Sequence, residues 1–188
     1  SGFDNVIACD MGGTSFDVSV IVEATPSLSA EKDLAYGIPV RVPMVDIHTI
    51  GAGGGSTARV DSAGLLRVGP ESAGAQPGPV CYGRGGTKPT VTDANLVLGR
   101  IDVSGFSGVE QTKKALSNAQ EAIKQEIGDP LGLATVDAAA AILAVSCNQL
   151  ASAIRLVSIE KGHDPRDFAL FAFGGAGPLH AVTLAAEL

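Results

Sequence analysis

Residues 7–22, IACDMGGTSFDVSVIV, decide the fold of this chain because two apolar strands flank a glycine turn. Residues 4–10 and 16–23 are predicted to pair as strands, since they alternate and are rich in β-branched side chains. Glycines let a ligand approach the backbone closely, and successive N–H groups with Thr and Ser hydroxyls bind anions. An Asp beside bound phosphates, here Asp10, would hold Mg²⁺ through water. The stretch therefore predicts either a hairpin that wraps nucleotide phosphates or an ordinary hairpin with a Gly-Gly turn.

The composition favours a glycine-rich α/β protein. The 188 residues include 24 Gly, six Phe, two Tyr and no Trp, which disfavours a β-sandwich or an aromatic nucleic-acid binder. The net charge of −7 and the lack of a basic run argue against a nucleic-acid partner. Cys9, Cys81 and Cys147 have no disulfide-framework or zinc spacing. Uninterrupted apolar runs are short and no signal peptide is seen, so we expect a cytoplasmic protein without a membrane partner.

A second glycine turn, residues 174–177 (GGAG), lies between a predicted strand over 168–173 and a helix with Pro178 in its first turn. Open α/β sheets bind ligands at the carboxyl ends of their strands, so both glycine turns are expected at one edge. Glycine here would let a flat ligand lie against the backbone near a positive helix end. Tight strand–helix packing requires glycine equally well. The run is not the dinucleotide fingerprint, because the third glycine is missing.

Segment 45–56, VDIHTIGAGGGS, contains a second candidate site. Asp46 and His48 lie two residues apart in a stretch predicted to be extended, so both side chains should share one face. They could act as an acid–base pair or as metal ligands beside a mobile loop, residues 51–55. The alternative is an Asp–His hydrogen bond that only fixes the loop. We favour a site role because an extended, proline-bounded stretch leads directly into the glycine run.

The long loop over residues 69–90 is rich in Gly and Pro, and a loop of this length is usually functional. Within it, Arg84 could lower the pKa of the Cys81 thiol and make it a nucleophile. Asp93 is expected to serve the start of the next helix through its dipole. Helices are predicted over 92–98, with Thr92 as the cap, over 112–127, and over 136–161, with Gly162 just beyond the end.

Four motifs together resemble the hydantoinase A family, which includes 5-oxoprolinases and subunits of acetone and acetophenone carboxylases. They are DMGGTSFDVSVI (10–21), VDIHTIGAGGGS (45–56), VGPESAGAQPGPVCYGRGGTKPTVTDANLVLGR (68–100) and DFALFAFGGAGPLHA (167–181). The resemblance covers residues 4–186. It implies the ribonuclease H-like fold of the actin, sugar-kinase and heat-shock ATPase superfamily, a mixed sheet flanked by helices, here with a Gly/Pro-rich insertion at about 36–91. Family members carry a preceding lobe with its own phosphate motif, so we expect residues 1–188 to be a single C-terminal lobe, truncated at both ends.

For the intact protein, the resemblance implies ATP-dependent hydrolysis of a cyclic amide, such as a hydantoin or 5-oxoproline. ATP would phosphorylate the ring carbonyl oxygen, and water would open the ring. One alternative is a fragment of an ATP-dependent ketone carboxylase of the same family, and another is a non-catalytic, nucleotide-gated binding module. The implied partners are the N-terminal lobe and a hydantoinase B-like subunit, and the lobe alone is expected to be inactive.

The resemblance also implies a role for each candidate site residue. It implies Gly12, Gly13, Thr14 and Ser15 for the phosphates of ATP, and Gly174, Gly175, Ala176 and Gly177 for adenosine. Asp10 would hold Mg²⁺ through water and would be catalytic together with Asp46 and His48. The substrate-side loop would consist of Gly51, Gly53, Gly54 and Gly55.

Overall fold

The computed structural model of the chain describes residues 2–29, 32–34, 38–40, 42–102, 104, 106 and 114–188. Its strands are β1 (Val6–Met11), β2 (Phe16–Val22), β3 (Thr25–Pro26), β4 (Leu28–Ser29), β5 (Lys32–Leu34), β6 (Ile38–Val40), β7 (Met44–Val45), β8 (His48–Ile50), β9 (Ser56–Val60), β10 (Leu66–Ser72) and β11 (Ala169–Phe173). Its α-helices are α1 (Val91–Val97), α2 (Ala115–Ile123), α3 (Asp129–Leu131), α4 (Thr135–Glu160) and α5 (Gly177–Glu187).

The main sheet has the order β11-β1-β2, with β3 and β8 both pairing with β2. Strand β1 pairs in parallel with β11 and antiparallel with β2, so the sheet is mixed. Asp10 lies opposite Phe173 on one side and opposite Asp17 on the other. This arrangement confirms the predicted hairpin and places the ends of β1 and β11 at one edge.

The core lies between one face of this sheet and α4. The side chains of Cys9, Met11 and Val18 are fully buried, and Ile142 and Leu150 of α4 are buried with them in one cluster. Burying each such side chain stabilises the fold by about 1.5–3 kcal/mol, so this layer supplies much of the stability. Strand alternation places Asp10 and Asp17 on the opposite, more exposed face.

Helix α4 is the longest element, at 26 residues. By length and composition alone it could cross a membrane, but 56% of its most apolar 18-residue window is buried inside the protein. We therefore assign it as the core helix. It ends at Glu160, and Gly162 follows with a φ of +77°, as predicted for the residue just beyond a helix end.

Three predicted elements differ from the structure. The predicted polar connection over 24–35 contains the short strands β3, β4 and β5. The helix predicted over 112–127 begins in the structure at Ala115 and continues as a π-helical turn over Lys124–Gly128, while residues 112–113 lie outside the described part. Thr92 does not cap α1: the N-cap is Thr90, whose side chain accepts a hydrogen bond from the Asp93 N–H.

Candidate functional site

The first glycine turn joins β1 to β2 and presents bare backbone to solvent. The Gly12 N–H donates to the Ser15 carbonyl at 3.1 Å, which closes the turn. A Cβ added to Gly12 or Gly13 would meet no atom within 4 Å. Among the described residues, none accepts a hydrogen bond from the N–H of Gly13 or Thr14. The turn therefore offers free donors to an anion, as the phosphate prediction requires.

Positive φ is not the reason for glycine in this turn, because neither Gly12 nor Gly13 has one. Glycine is required for steric reasons in the loop of residues 53–55, which packs on this turn. The N–H groups of Gly54 and Gly55 donate to the carbonyls of Gly12 and Gly13, at 3.0 and 2.7 Å. A Cβ on Gly53 would lie 2.6 Å from the Gly13 carbonyl carbon, so only glycine fits there.

This packing corrects the expectation of a mobile loop. Gly53, Gly54 and Gly55 are buried, and Gly54 and Gly55 are hydrogen-bonded to the first turn, while Gly51 is exposed and lies beside Pro70. Thr92 adds a further attachment, because its N–H and its hydroxyl both donate to the Gly54 carbonyl at 2.8 Å. Buried, hydrogen-bonded backbone belongs to the more stable part of a fold.

The second glycine turn lies beside the first, as the sequence predicts. Gly174 has a φ of +86°, and a Cβ there would collide with the Asp10 carboxylate and the Met11 carbonyl. The Ala176 N–H donates to the same Met11 carbonyl at 2.9 Å. Gly177, the first residue of α5, packs against the backbone of Cys9 and Met11. Close packing between strand and helix thus accounts for Gly174 and Gly177, whatever ligand binds.

Asp10 is half-buried at the end of β1, between the two turns. In the described part of the chain, no group donates a hydrogen bond to its carboxylate. Asp17, directly opposite, accepts hydrogen bonds from Ser15 Oγ at 3.1 Å and from Thr49 Oγ1 at 2.5 Å. Sequence reasoning missed Asp17, although a hairpin that pairs residue 11 with 16 must pair 10 with 17.

A cavity of about 140 Å³ opens between the two turns. Its backbone wall consists of Gly12, Gly13, Gly54, Gly175 and Ala176. Its side-chain wall consists of Tyr82, Thr92, Asn95, Ile101, Phe106 and Leu179. The structure therefore brings residues of both predicted turns together, and the insertion loop, α1, the segment after α1 and α5 complete the cavity. Thr14 and Ser15 do not line it: Thr14 is exposed, and the Ser15 hydroxyl donates to Asp17.

Asp46 and His48 contact different groups. Asp46 makes an ion pair with Lys161 at the end of α4, with 2.6 Å between Oδ2 and Nζ. His48 lines a groove of about 650 Å³, mostly apolar, together with Gln149 and Leu156 of α4. Exposure alternates residue by residue from 44 to 50, and Asp46 and His48 are both half-buried, which agrees with the prediction that they share one face. A catalytic role for either residue stays a prediction.

Asp93 is a buried carboxylate with a structural role that exceeds the predicted helix-dipole contribution. It forms a capping box with Thr90. It also accepts hydrogen bonds from the N–H groups of Val80 and Cys81, at 3.2 and 2.8 Å. Asp93 therefore fastens the insertion loop to the start of α1.

The Cys81 nucleophile hypothesis is wrong. Cys81 is fully buried, and burial and the Asp93 charge both raise the pKa of its thiol above the ordinary range. A thiol must ionise to be nucleophilic, and this environment opposes ionisation. Arg84 instead lies over the Tyr82 ring, with 5.9 Å between the guanidinium carbon and the ring centroid.

No cluster of three or more metal-ligating side chains occurs within the residues that the structure describes. A cation here would therefore depend on one or two carboxylates and on water. Asp10 lies beside both turns, and its carboxylate accepts no hydrogen bond within the described ranges, so it fits the kind of site that Mg²⁺ often occupies in phosphate-binding proteins.

Taken together, the fold and the site define an α/β protein in which two glycine turns share one sheet edge and one cavity. The hydantoinase/oxoprolinase family model matches residues 1–188, and the chain belongs to this family. The caprolactamase subunit alpha of Pseudomonas jessenii is 48% identical over 190 residues, which cover 100% of this chain and 27% of the relative. The acetophenone carboxylase gamma subunit of Aromatoleum aromaticum is 45% identical over 188 residues, which cover 100% of this chain and 26% of that relative.

A solved structure shows the same fold. The ATP-dependent caprolactamase from Pseudomonas jessenii superposes with a TM-score of 0.86 at 47% identity, covering 99% of this chain and 27% of that one. This chain thus spans about a quarter of the length of these relatives.

Proposed function

We propose that this chain is the nucleotide-binding lobe of an ATP-dependent enzyme that opens cyclic amides. The observation that carries the proposal is the meeting of both glycine turns around one cavity, with the free Asp10 carboxylate at their junction. The relatives add support, because a solved one is an ATP-dependent caprolactamase. The lobe would have the ribonuclease H-like, actin-type fold, and residues 1–188 would form it as one unit.

The first turn would bind the phosphates. Its open side presents the N–H groups of Gly13 and Thr14, and backbone donors in such a turn form an anion-binding concavity. The packed loop at Gly53–Gly55 holds the turn rigid, so little reorganisation is needed when charge develops on the transferred phosphoryl group. The exposed Thr14 hydroxyl adds a donor beside them.

The second turn would bind adenosine. Gly175 and Ala176 line the cavity, and no atom lies within 4 Å of a Cβ added to Gly175. A flat ring can therefore lie against this backbone. The start of α5 follows at once and contributes a partial positive charge toward the phosphates.

In the proposed reaction, the ring carbonyl oxygen attacks the γ-phosphorus of ATP and ADP leaves. The carbon that bears the phosphorylated oxygen is electrophilic, so water adds to it and the ring C–N bond breaks, leaving an amine and an acyl phosphate. A second water then hydrolyses the acyl phosphate to the carboxylate and free phosphate. Bound Mg²⁺ would offset the phosphate charge. Asp10 would position that cation's water shell, and the donors of the first turn would stabilise the transferring phosphoryl group. The amide substrate, the N-terminal lobe and a hydantoinase B-like subunit belong to this proposal as partners.

A second candidate, an ATP-dependent ketone carboxylase, is favoured by one observation. The acetophenone carboxylase gamma subunit is 45% identical over the whole of this chain. Both reactions activate a carbonyl-derived oxygen by phosphorylation, so the same nucleotide lobe would serve either.

The test uses the intact protein that contains residues 1–188. Asp10→Asn is expected to lower ATP-dependent turnover by about 10²–10³-fold, the usual cost of losing one charge-stabilising group. Asp4→Asn, an exposed carboxylate elsewhere, is the matched control and should leave turnover unchanged. Near-normal turnover of Asp10→Asn would refute the role of Asp10, and a wild-type protein that binds no MgATP would refute the proposed function.

A further inference from the structure

Asn95 is a buried amide in α1 whose oxygen has no partner among the residues that the structure describes. The residue is 1% exposed, and its Oδ1 receives no hydrogen bond from any described residue. Buried polar atoms in native proteins are almost always paired with protein, water or ligand. Asn95 is also one of the residues that line the cavity between the two glycine turns, so a donor on a bound ligand is a candidate partner for this oxygen.

The orientation of this amide is fixed by its other end. Asn95 Nδ2 donates to the Val91 carbonyl at 3.0 Å and lies 3.5 Å from His180 Nε2. A flipped amide would place Oδ1 against the Val91 carbonyl, with two acceptors facing each other. The nitrogen must therefore face Val91, and the oxygen is the end of the amide that no described residue contacts by a hydrogen bond.

His180 is set to receive the second Nδ2 hydrogen. It is fully buried, and burial lowers its pKa to about 4, so the ring is neutral at physiological pH. Acceptance at Nε2 places the ring proton on Nδ1, which faces Cys147 Sγ at 3.5 Å. Both hydrogens of Asn95 Nδ2 are thus directed to groups of the protein, and Oδ1 is the atom of this amide that a ligand could contact.

The cavity that Asn95 lines suits one flat ring system. At about 140 Å³ it is smaller than the roughly 300–1,000 Å³ pockets that hold whole drug-sized molecules. Glycine backbone forms one wall, while Leu179 and the rings of Tyr82 and Phe106 form another, with 6.1 Å between the two ring centroids. Aromatic and apolar walls favour a heterocyclic base, and the solved relative is ATP-dependent.

We propose that Asn95 is the residue that selects adenine, by accepting a hydrogen bond from its exocyclic amine. Adenine carries an amine donor where guanine carries a carbonyl acceptor. Guanine would therefore place a second acceptor against Oδ1. This inference rests on the proposed ATP-dependent function and adds to it the group that reads the base.

The experiment compares three nucleotides in the intact protein: ATP, GTP and purine riboside triphosphate, which has the adenine ring without its amine. The wild-type protein should bind ATP about tenfold more tightly than the analogue, since one buried hydrogen bond is at stake. In Asn95→Leu, which keeps the branched shape and the number of heavy atoms but removes the acceptor, this ratio should fall to about one. Asn118→Leu, an exposed asparagine on α2, should keep the wild-type ratio.

Two outcomes would refute the role of Asn95 without refuting the proposed function. If the wild-type protein binds ATP and the analogue equally, an ordered water satisfies Oδ1 and the base is not read there. If Asn95→Leu keeps the wild-type ratio, another group reads the amine. The wild-type comparison needs no variant, so it stays decisive even if Asn95→Leu fails to fold. A protein that binds no MgATP overturns the proposed function as well, which separates the two failures.

Discussion

Glycine has different physical roles at Gly53 and Gly12. At Gly53 the backbone of the first turn occupies the space that a Cβ would need, at 2.6 Å from the Gly13 carbonyl carbon. At Gly12 the same space is open. One position thus needs glycine for folding, and the other leaves room for a ligand.

Alanine substitutions at these two positions should separate stability from binding. Gly53→Ala is expected to lower the free energy of unfolding by about 1–3 kcal/mol, because the loop must move away from the turn. Gly12→Ala should leave stability nearly unchanged and weaken ATP binding, because its methyl group would lie where the phosphates approach. Urea denaturation and calorimetric titration with MgATP measure the two effects. Equal loss of stability in both variants would contradict this division.

His180 should make stability depend on pH. Its pKa is lowered from 6.5 to about 4 by burial, so the unfolded chain binds a proton that the folded protein does not. The free energy of unfolding is therefore highest above pH 6.5 and falls as the pH drops toward 4, by about 3 kcal/mol in total.

The measurement is urea denaturation at several pH values between 4.5 and 7.5. His180→Gln should flatten the dependence of the unfolding free energy on pH over this range. His163→Gln, a partly exposed histidine in the turn after α4, is the control and should keep the wild-type slope. A slope that is the same in the wild-type protein and in His180→Gln would show that His180 is not the titrating group.

At the scale of elements, Asp93 joins the insertion loop to α1. Asp93→Ala would leave the N–H groups of Val80, Cys81 and Thr90 without their acceptor. We expect a loss of about 3 kcal/mol or more in the free energy of unfolding, since each buried unpaired donor costs about 1–3 kcal/mol. Hydrogen exchange should rise over residues 79–98 in particular.

The matched control for Asp93 is Asp137, which also lies in the first turn of a helix but is exposed. Asp137→Ala should cost less than about 1 kcal/mol, because only a dipole interaction is lost. If Asp93→Ala is no more destabilising than Asp137→Ala, the loop is held by other contacts.

Local patterns predicted the elements well, but not the contacts between distant segments. The hairpin, the core helix and the shared edge of both glycine turns follow from alternation, helical periodicity and strand direction. The attachment of Gly54 to Gly12 joins segments about 40 residues apart, and no local pattern encodes it. The same holds for the ion pair between Asp46 and Lys161, which lies at the C-terminal end of α4. Asp17 could have been found, because the register of the hairpin fixes its place opposite Asp10.

At the scale of the whole molecule, the sheet has one face packed on α4 and one that carries Asp10 and Asp17. Phe171 and Phe173 of β11 share that second face and are 53% and 41% exposed. The candidate nucleotide cavity opens at the edge between the two turns. Under the proposed function, this geometry would serve phosphoryl transfer to either an amide or an enol oxygen, so the lobe alone would not specify the acceptor.

The acceptor can be identified through ADP release by the intact protein with its partner subunits. We expect a cyclic amide such as caprolactam or 5-oxoproline to raise ADP release at least about tenfold over ATP alone, because a phosphoryl acceptor must be positioned before transfer. A ketone with bicarbonate should give no increase. Asp10→Asn should abolish the stimulated rate in either case, which ties the signal to this lobe. Bicarbonate-dependent ADP release with a ketone, and none with cyclic amides, would make the protein a carboxylase while leaving the nucleotide assignment intact.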